Sequence, residues 1–292
     1  AWYWVTRPVR QLTAQVAAGD SDSIRAIKAL AAQAPDPHPG NEVALLHNRF
    51  IELAQQIAGQ WDRLADSDRQ RREFIANISH DLRTPLTSLL GYLETLSLKD
   101  DRLTAQERKQ YLNIALRQGN KVRHLSQQLF ELARLEHGGI KPQPEKFILA
   151  ELIQDVAQKF DLAIATREIC LRLELASGLP LVEADLSMME RVLTNLLDNA
   201  IRHTPHGGEI RLSSRLQGAQ VVVEVADSGP GVAGELRANL FERPSVLEPG
   251  QQSASRGGLG LMIVRRMLQL HGGEIRLLEV PAGACFQFTL PL

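Results

Sequence analysis

The sequence predicts an α plus α/β fold, with a helical first half followed by a mixed α/β second half. Apolar residues recur at helical spacing from residue 42 to about 99, and again from 105 to about 136. A stretch rich in glycine and proline, 138–144, then marks a boundary. Short β-like runs and two further helical stretches follow it. At 292 residues the chain has room for two or three domains.

Composition excludes several classes of protein. The 44% hydrophobic content is too high for a wholly disordered chain. With 33 basic and 34 acidic residues, the near-zero net charge argues against nucleic acid as the main partner. Only Cys170 and Cys285 are present, far apart in sequence, which excludes a disulfide framework and a four-cysteine zinc site and fits a reducing compartment. The sequence contains no apolar run long enough to span a membrane.

The first residues combine aromatic and basic side chains. An aromatic triplet at 2–4 precedes Arg7 and Arg10, an order typical of a helix that leaves a bilayer on its cytoplasmic side. A frayed terminus with chance aromatics is the alternative. Helical spacing predicts a helix over 6–18 that ends at Gly19-Asp20, and prolines predict a connector over 33–41.

The first long helix carries an exposed histidine. If Ile75 is position a of a heptad, His80 falls at f, the position farthest from the apolar seam. Asp81 follows it, and Thr84 lies one turn on. Pro85 cannot donate a backbone hydrogen bond to the carbonyl of Asp81. The carboxylate could fix one imidazole tautomer and leave the other nitrogen free to attack. A solvated surface histidine is the simpler alternative. The seam comprises Ile75, Ile78, Leu82, Leu89 and Leu96.

The second half should form a mixed α/β domain. A polar, weakly patterned stretch over 243–258 is expected to be a mobile loop. Strands are predicted at 169–175, 209–213, 221–225, 274–278 and 285–290, and helices at 186–203 and 259–271.

Three short patterns in this half could bind a nucleotide. Asn195 and Asn199 share one face of a helix and could hold a hard cation, although an isolated pair is often only a surface or capping feature. The segment 227–231, Asp-Ser-Gly-Pro-Gly, follows a strand, and its glycines would let a ligand approach the backbone closely. An ordinary β-turn is the alternative interpretation. Glycines at 257–260 open a helix and can present N–H groups to phosphate.

The segment 74–86, Phe-Ile-Ala-Asn-Ile-Ser-His-Asp-Leu-Arg-Thr-Pro-Leu, resembles the H-box of bacterial sensor histidine kinases. The resemblance implies that His80 is autophosphorylated, that Asp81 supports phosphoryl transfer and that Thr84 acts in dephosphorylating a partner. It also implies that the two long helices form an antiparallel hairpin, which dimerises as a four-helix bundle.

The three patterns of the second half resemble the N, G1 and G2 boxes of the ATP-binding domain of these kinases. Phe241 stands where the F-box belongs, but Pro244 and Arg256 depart from the family pattern in the lid. The resemblance implies ATP and Mg²⁺ as cofactors. The implied roles are Asn195 and Asn199 for Mg²⁺, Arg202 for the phosphates, His203 beside adenine, Asp227 for its amino group, Gly229 and Gly231 in that pocket, and Gly258 and Gly260 in the lid.

The N-terminal segment resembles a HAMP signal-relay module, so the expected order is a membrane-proximal helical relay, the hairpin and a mixed α/β sandwich. The expected boundaries are 1–58, 59–137, a linker at 138–144, and 145–292. The resemblance implies a homodimer at the cytoplasmic face of a bacterial inner membrane, held there by an upstream segment. The implied partner is a response-regulator receiver domain.

Two other functions remain open. ATP-hydrolysing relatives of the gyrase and heat-shock type place a glutamate four residues before the Mg²⁺-binding asparagine, to activate water. Here that position is Asn195, an amide that cannot act as a general base. A non-catalytic scaffold with a decayed kinase fold is favoured only by the two lid departures.

Overall fold

A computed structural model describes residues 20–35, 42–98, 103–136, 139–237, 240–241 and 259–292. The aromatic triplet, the predicted helix 6–18, the predicted loop 243–258 and most of residues 99–104, between the two long helices, lie outside these residues. The chain divides into two units, residues 1–76 and 77–292. Among the described residues, no helix is both long and apolar enough to cross a lipid bilayer.

The first unit contains helix α1 (Asp20–Ala31) and the first part of helix α2 (Glu42–Leu98). The Lys28 ammonium lies 2.6 Å from the Asp62 carboxylate, and the Gln55 amide donates to the Ala31 carbonyl. The sequence did not predict α1, because Gly19-Asp20 was interpreted as a helix end. Asp20 is instead the first residue of this helix.

The second unit contains the rest of α2 and helix α3 (Ala105–Glu136), whose bounds agree with the predicted helices. The rings of Tyr92 and Tyr111 join the two helices, with centroids 5.6 Å apart. Thr104 and Glu107 cap α3 reciprocally, and these hydrogen bonds hold the pKa of the Glu107 carboxyl below its usual value. Helix α2 continues through Pro85 to Leu98, so the proline does not end it.

The α/β part of this unit is a five-stranded mixed sheet with helices packed on it. The strands run in the order β2-β4-β5-β7-β6; β2 and β4 are parallel, and the other pairs are antiparallel. A separate antiparallel pair joins β1 and β3. The elements are β1 (Glu145–Phe147), α4 (Leu149–Gln158), α5 (Asp161–Thr166), β2 (Cys170–Leu175), β3 (Val182–Ala184), α6 (Leu186–His203), β4 (Glu209–Gln217), β5 (Gln220–Asp227), α7 (Gly234–Arg237), α8 (Leu259–Leu270), β6 (Glu274–Leu278) and β7 (Ala284–Pro291).

The core lies between the sheet and its helices. Helix α6 packs against β5, α4 and α8, while α8 also covers β6 and β7. Burying each large apolar side chain stabilises the fold by about 1.5–3 kcal/mol before entropy is counted. The largest buried side chains of this core are Ile153, Met189, Leu193, Leu196, Leu197, Ile210, Leu212, Phe286 and Phe288.

All five predicted strands are present, and the differences lie at their ends. The predicted strands 209–213 and 221–225 are longer in the structure, Glu209–Gln217 and Gln220–Asp227. The two strands form a hairpin and remain paired up to the turn that joins them. The sequence missed β1 and β3, which have three residues each and pair only with one another. The helix predicted over 259–271 ends at Leu270.

Candidate functional site

His80 is displayed on the outside of α2. Its side chain is 69% exposed, and its Nδ1 lies 3.6 Å from an Asp81 carboxylate oxygen. That separation is too long for a hydrogen bond, but it places Nδ1 of the ring beside the carboxylate. The Thr84 hydroxyl donates to the His80 carbonyl at 3.1 Å, so its oxygen lone pairs remain available to accept.

Helix α6 is fixed at its start by two side chains. The Asp185 carboxylate caps the helix by accepting the Met188 N–H at 3.0 Å. His271 accepts the Asp185 N–H at Nε2, and its Nδ1 lies 2.8 Å from the Met267 carbonyl. These contacts set the position of the helix that carries Asn195 and Asn199.

The polar face of α6 holds an ion pair that the sequence analysis did not identify. Arg202 donates to Asp198 at 2.5 Å, so the cation expected to serve phosphates already has a carboxylate partner. The Asn195 side-chain nitrogen is buried and has no hydrogen-bond partner. A buried amide without a partner costs about 1–3 kcal/mol, which an oxygen-rich ligand would offset.

The surroundings of Gly260 include side chains of two other helices. A Cβ at this position of α8 would lie 3.5 Å from the Gln128 amide nitrogen on α3 and 3.9 Å from the Asn195 amide on α6. The glycine therefore sits where α3, α6 and α8 converge. A larger side chain would project towards both amides.

A cavity of about 450 Å³ opens at this convergence. Its size suits a small-molecule ligand. Residues from the α2–α3 hairpin line one side and residues from α6 and α8 line the other. The described lining residues are Asp81, Thr84, Pro85, Lys121, His124, Leu125, Gln128, Asn195, Asp198, Asn199, Arg202, His203, Gly260 and Leu261.

The cavity brings together seven of the predicted site residues: Asp81, Thr84, Asn195, Asn199, Arg202, His203 and Gly260. His80 itself is not in the described lining, although Asp81 beside it is. Asp227, Gly229 and Gly231 are likewise not in that lining. Gly258 lies outside the described residues, as do Pro244 and Arg256.

Asp227 ends β5 in a buried position. Its carboxylate accepts the N–H groups of Gly229 at 2.9 Å and Ala284 at 3.3 Å. Burial raises the pKa of this carboxyl, while the two hydrogen bonds and nearby His203 oppose the rise. A Cβ at Gly229 would lie 2.6 Å from the His203 carbonyl oxygen, so Asp227 and its turn abut the end of α6.

Gly283 is a close-packed residue that the sequence analysis missed. It has φ +76°, and a Cβ there would lie 1.7 Å from the Asp227 carbonyl oxygen. The Gly283 carbonyl in turn lies 2.8 Å from where a Cβ of Gly231 would stand, and Gly231 also has φ +76°. Glycine is therefore required on both sides of the Asp227 turn. A Pro-Ala-Gly turn between two strands was the available signal.

A side-chain clamp joins α3 to α6. Arg191 donates from Nε and Nη2 to both carboxylate oxygens of Glu131, at 2.9–3.3 Å. Both side chains are partly buried, at 32% and 24% exposed. The Arg266 guanidinium also lies 3.4 Å from the Leu135 carbonyl. These contacts, with buried Leu132 and Leu135, hold the hairpin against the α/β domain.

The donor set suits a magnesium nucleotide. Amide oxygens of Asn195 and Asn199 are hard ligands, and such a metal keeps much of its coordination in water and phosphate oxygens. The Asn195 amide carries both an oxygen and a nitrogen, and a turn of the group would present either atom to a ligand. Among the described residues, no cluster of three or more His, Cys, Asp or Glu side chains could hold a metal ion.

Two family models match the chain in the order in which these parts occur. The model described as "His Kinase A (phospho-acceptor) domain" matches residues 70–138. The model described as "Histidine kinase-, DNA gyrase B-, and HSP90-like ATPase" matches residues 184–292. Fold and site thus define a class, a phospho-acceptor hairpin followed by an ATPase-type nucleotide-binding domain.

Relatives and solved structures narrow this class. The sensor histidine kinase TmoS of Ectopseudomonas mendocina is 36% identical over 254 residues, covering 85% of this chain and 25% of TmoS. The chain therefore spans about a quarter of the length of that relative. Histidine kinase AdeS of Acinetobacter baumannii is 27% identical with a TM-score of 0.59, over 73% of this chain and 97% of that one.

A third similarity is to histidine kinase ThkA in a structure with the response regulator protein TrrA. Identity is 28%, the TM-score is 0.62, and the match covers 78% of this chain and 66% of that one. The chain belongs to the sensor histidine kinase family.

Proposed function

We propose that the chain transfers the γ-phosphoryl group of ATP to His80 and then to an aspartate of a response regulator. The observation that carries this proposal is the cavity at which Asp81 and Thr84, beside the histidine, face Asn195 and Asn199. A kinase needs its acceptor and its nucleotide within reach of one another, because phosphoryl transfer depends on positioning and charge stabilisation.

His80 supplies the nucleophile. With Nδ1 facing Asp81, Nε2 is the nitrogen that is free to attack the γ-phosphorus. A nitrogen–phosphorus bond forms, the bond from the γ-phosphorus to the β–γ bridging oxygen breaks, and ADP leaves with that oxygen. The Asp81 carboxylate stabilises the positive charge that the imidazole gains.

The nucleotide side of the cavity would orient ATP. In this proposal Asn195 and Asn199 hold Mg²⁺, and Arg202 contacts the phosphates after rearranging from Asp198. The metal would neutralise phosphate charge when bound. The remaining proposed contacts are His203 and Asp227 to adenine, Gly229 and Gly231 as the walls of that pocket, and Gly258 and Gly260 in the lid.

The second proposed activity is dephosphorylation of the regulator. A water molecule can donate a hydrogen to the Thr84 oxygen, since the Thr84 hydrogen is already directed to the His80 carbonyl. A lone pair of the water oxygen would then face the phosphorus of the aspartyl phosphate. The kinase and phosphatase reactions therefore use different atoms on one exposed helix face.

The proposed assembly is a homodimer formed by residues 59–137. Along this hairpin, Leu86, Leu90 and Leu93 on α2 and Leu112 and Leu116 on α3 are 43–58% exposed in a single chain. Leucines at such spacing form a stripe that a second hairpin would cover as a four-helix bundle. Residues 145–292 would remain the ATP-binding domain, beyond a linker at 138–144.

The proposed partner and location follow from relatives and from the N-terminal sequence. ThkA is described in complex with TrrA, which supports a response-regulator partner for this chain. The aromatic and basic residues at 2–10 support a place at the cytoplasmic face of a bacterial inner membrane, with 1–58 as a HAMP-like relay.

The direct test is incubation with Mg-ATP followed by detection of phosphohistidine. Wild type should incorporate label that is labile in acid and stable in base, and His80→Ala should incorporate none. Stable label on His80→Ala would remove His80 from the reaction. Free phosphate release without a labelled protein would instead favour the ATP-hydrolysing alternative.

A further inference from the structure

One face of α3 is turned to the cavity. Lys121, His124, Leu125 and Gln128 line it at i, i+3, i+4 and i+7, which is a single stripe along the helix. They stand on the hairpin side, together with Asp81 and Thr84 of α2. None of these α3 residues was singled out by sequence, because nothing in their local pattern differs from an ordinary polar helix face.

Lys121 differs from the other residues of that stripe because its side chain carries a permanent positive charge. The permanent charges in the described lining are two carboxylates, Asp81 and Asp198, and two cations, Lys121 and Arg202. Arg202 is already bound to Asp198 at 2.5 Å. No ion pair of Lys121 occurs within the described part of the chain. Of the two permanent cations in the described lining, Lys121 is therefore the one that can meet a ligand without first breaking an ion pair.

The hairpin side of the cavity needs such a charge. The Asp81 carboxylate favours an imidazole that is ready to attack, but it also repels the triphosphate that must approach it. In phosphoryl transfer, negative charge spreads over the oxygens of the transferring group, and a nearby cation stabilises it. The nucleotide side offers neutral amides and Arg202, which must leave Asp198 before it can contact a phosphate.

We infer that Lys121 is a catalytic residue that contacts the transferring phosphoryl group from the hairpin side of the cavity. Its ammonium offsets the Asp81 carboxylate and draws the γ-phosphoryl group towards His80. This inference rests on the proposed function and adds a catalytic residue to it. Because its contact strengthens as the phosphoryl group leaves ADP, Lys121 should affect the rate of transfer more than the affinity for ATP.

The test compares Lys121→Gln, Lys121→Arg and Arg123→Gln in the full chain. Arg123→Gln is the matched control, since it removes one positive charge from an exposed position of the same helix, about 200° away around its axis. At saturating Mg-ATP, Lys121→Gln should form phosphohistidine at least about tenfold more slowly. Its ATP dissociation constant should stay within about threefold, and Lys121→Arg should recover most of the rate.

Four results would overturn the inference. They are a Lys121→Gln rate equal to that of Arg123→Gln, a loss confined to ATP affinity, a Lys121→Arg rate as low as that of Lys121→Gln, and a loss seen only in transfer to the regulator. Absence of phosphohistidine in wild type and in Arg123→Gln would be a different failure, that of the proposed function itself.

Discussion

The α/β domain and the helical hairpin differ in how much of their apolar surface they bury alone. In the α/β domain, Leu196, Ile210 and Phe288 are at most 1% exposed. In the hairpin, Leu90 is 50% and Leu116 58% exposed. The first region therefore has a complete core within one chain, whereas the second leaves a stripe of leucines exposed, which the proposed dimer would cover. The proposed nucleotide site can therefore form within one chain, whereas the hairpin that carries His80 should be stable only in the proposed dimer.

The largest expected effect is on that assembly. Leu90→Glu should weaken dimerisation at least about 100-fold, because a carboxylate would be buried in the apolar stripe that the proposed dimer covers. Leu162→Glu is the control, since Leu162 is 81% exposed on the α/β domain. Light scattering across a concentration series would show a monomer for the first variant and a dimer for the second. A wild-type protein that is monomeric at micromolar concentration would show that the exposed leucines of the hairpin do not form a dimer interface.

The next effect falls within the α/β domain. Asn199→Asp should lower Mg-ATP affinity by about tenfold or more, since a new carboxylate changes the charge of the whole cation site. Asn195→Ala should have a smaller effect. Calorimetry on both variants gives the ranking, and the reverse order would exchange the roles assigned to the two asparagines.

Thr84→Ala separates two activities of the hairpin. Regulator dephosphorylation should fall at least about tenfold, while autophosphorylation should change less than about threefold, since only a water contact is lost. Both are measured on one preparation. Equal losses would mean that Thr84 supports the helix next to Pro85, and no loss would remove it from the mechanism.

The smallest expected effect is a pH dependence at Asp227. Burial raises the pKa of its carboxyl, yet an adenine amino group needs the ionised form as acceptor. Nucleotide binding should therefore release a proton, and affinity should fall as pH drops through this raised pKa. Titrations of wild type should show that fall above the usual aspartate range, and Asp227→Asn should bind weakly with no such slope.

The same raised pKa has the opposite consequence for the free protein. Folded Asp227 holds its proton to higher pH than the unfolded chain does. Its contribution therefore lowers the free energy of unfolding as pH rises through the folded pKa. Denaturant unfolding without nucleotide would give the free energies of unfolding of wild type and Asp227→Asn. The difference between these two free energies should narrow at acidic pH.

The parts predictable from sequence are those encoded locally. The long helices, the five main strands, the exposure of His80 and the shared face of Asn195 and Asn199 follow from short-range periodicity. The place of Lys121 at the cavity and the contact of Gly283 with Asp227 depend on elements distant in the chain, so neither could be found in this way. The local Pro-Ala-Gly pattern indicated only that a turn lies at Gly283. The Glu131–Arg191 clamp likewise joins residues 60 positions apart.

The measurement that tests the account most directly compares His80→Ala and Asn199→Asp in two assays on each protein, ATP affinity and phosphohistidine formation. His80→Ala should bind ATP within about threefold of wild type and form no phosphohistidine, because its nitrogen is lost while the nucleotide side is intact. Asn199→Asp should lose affinity and form phosphohistidine slowly. Stable phosphohistidine on His80→Ala, or wild-type affinity and rate in Asn199→Asp, would contradict the account.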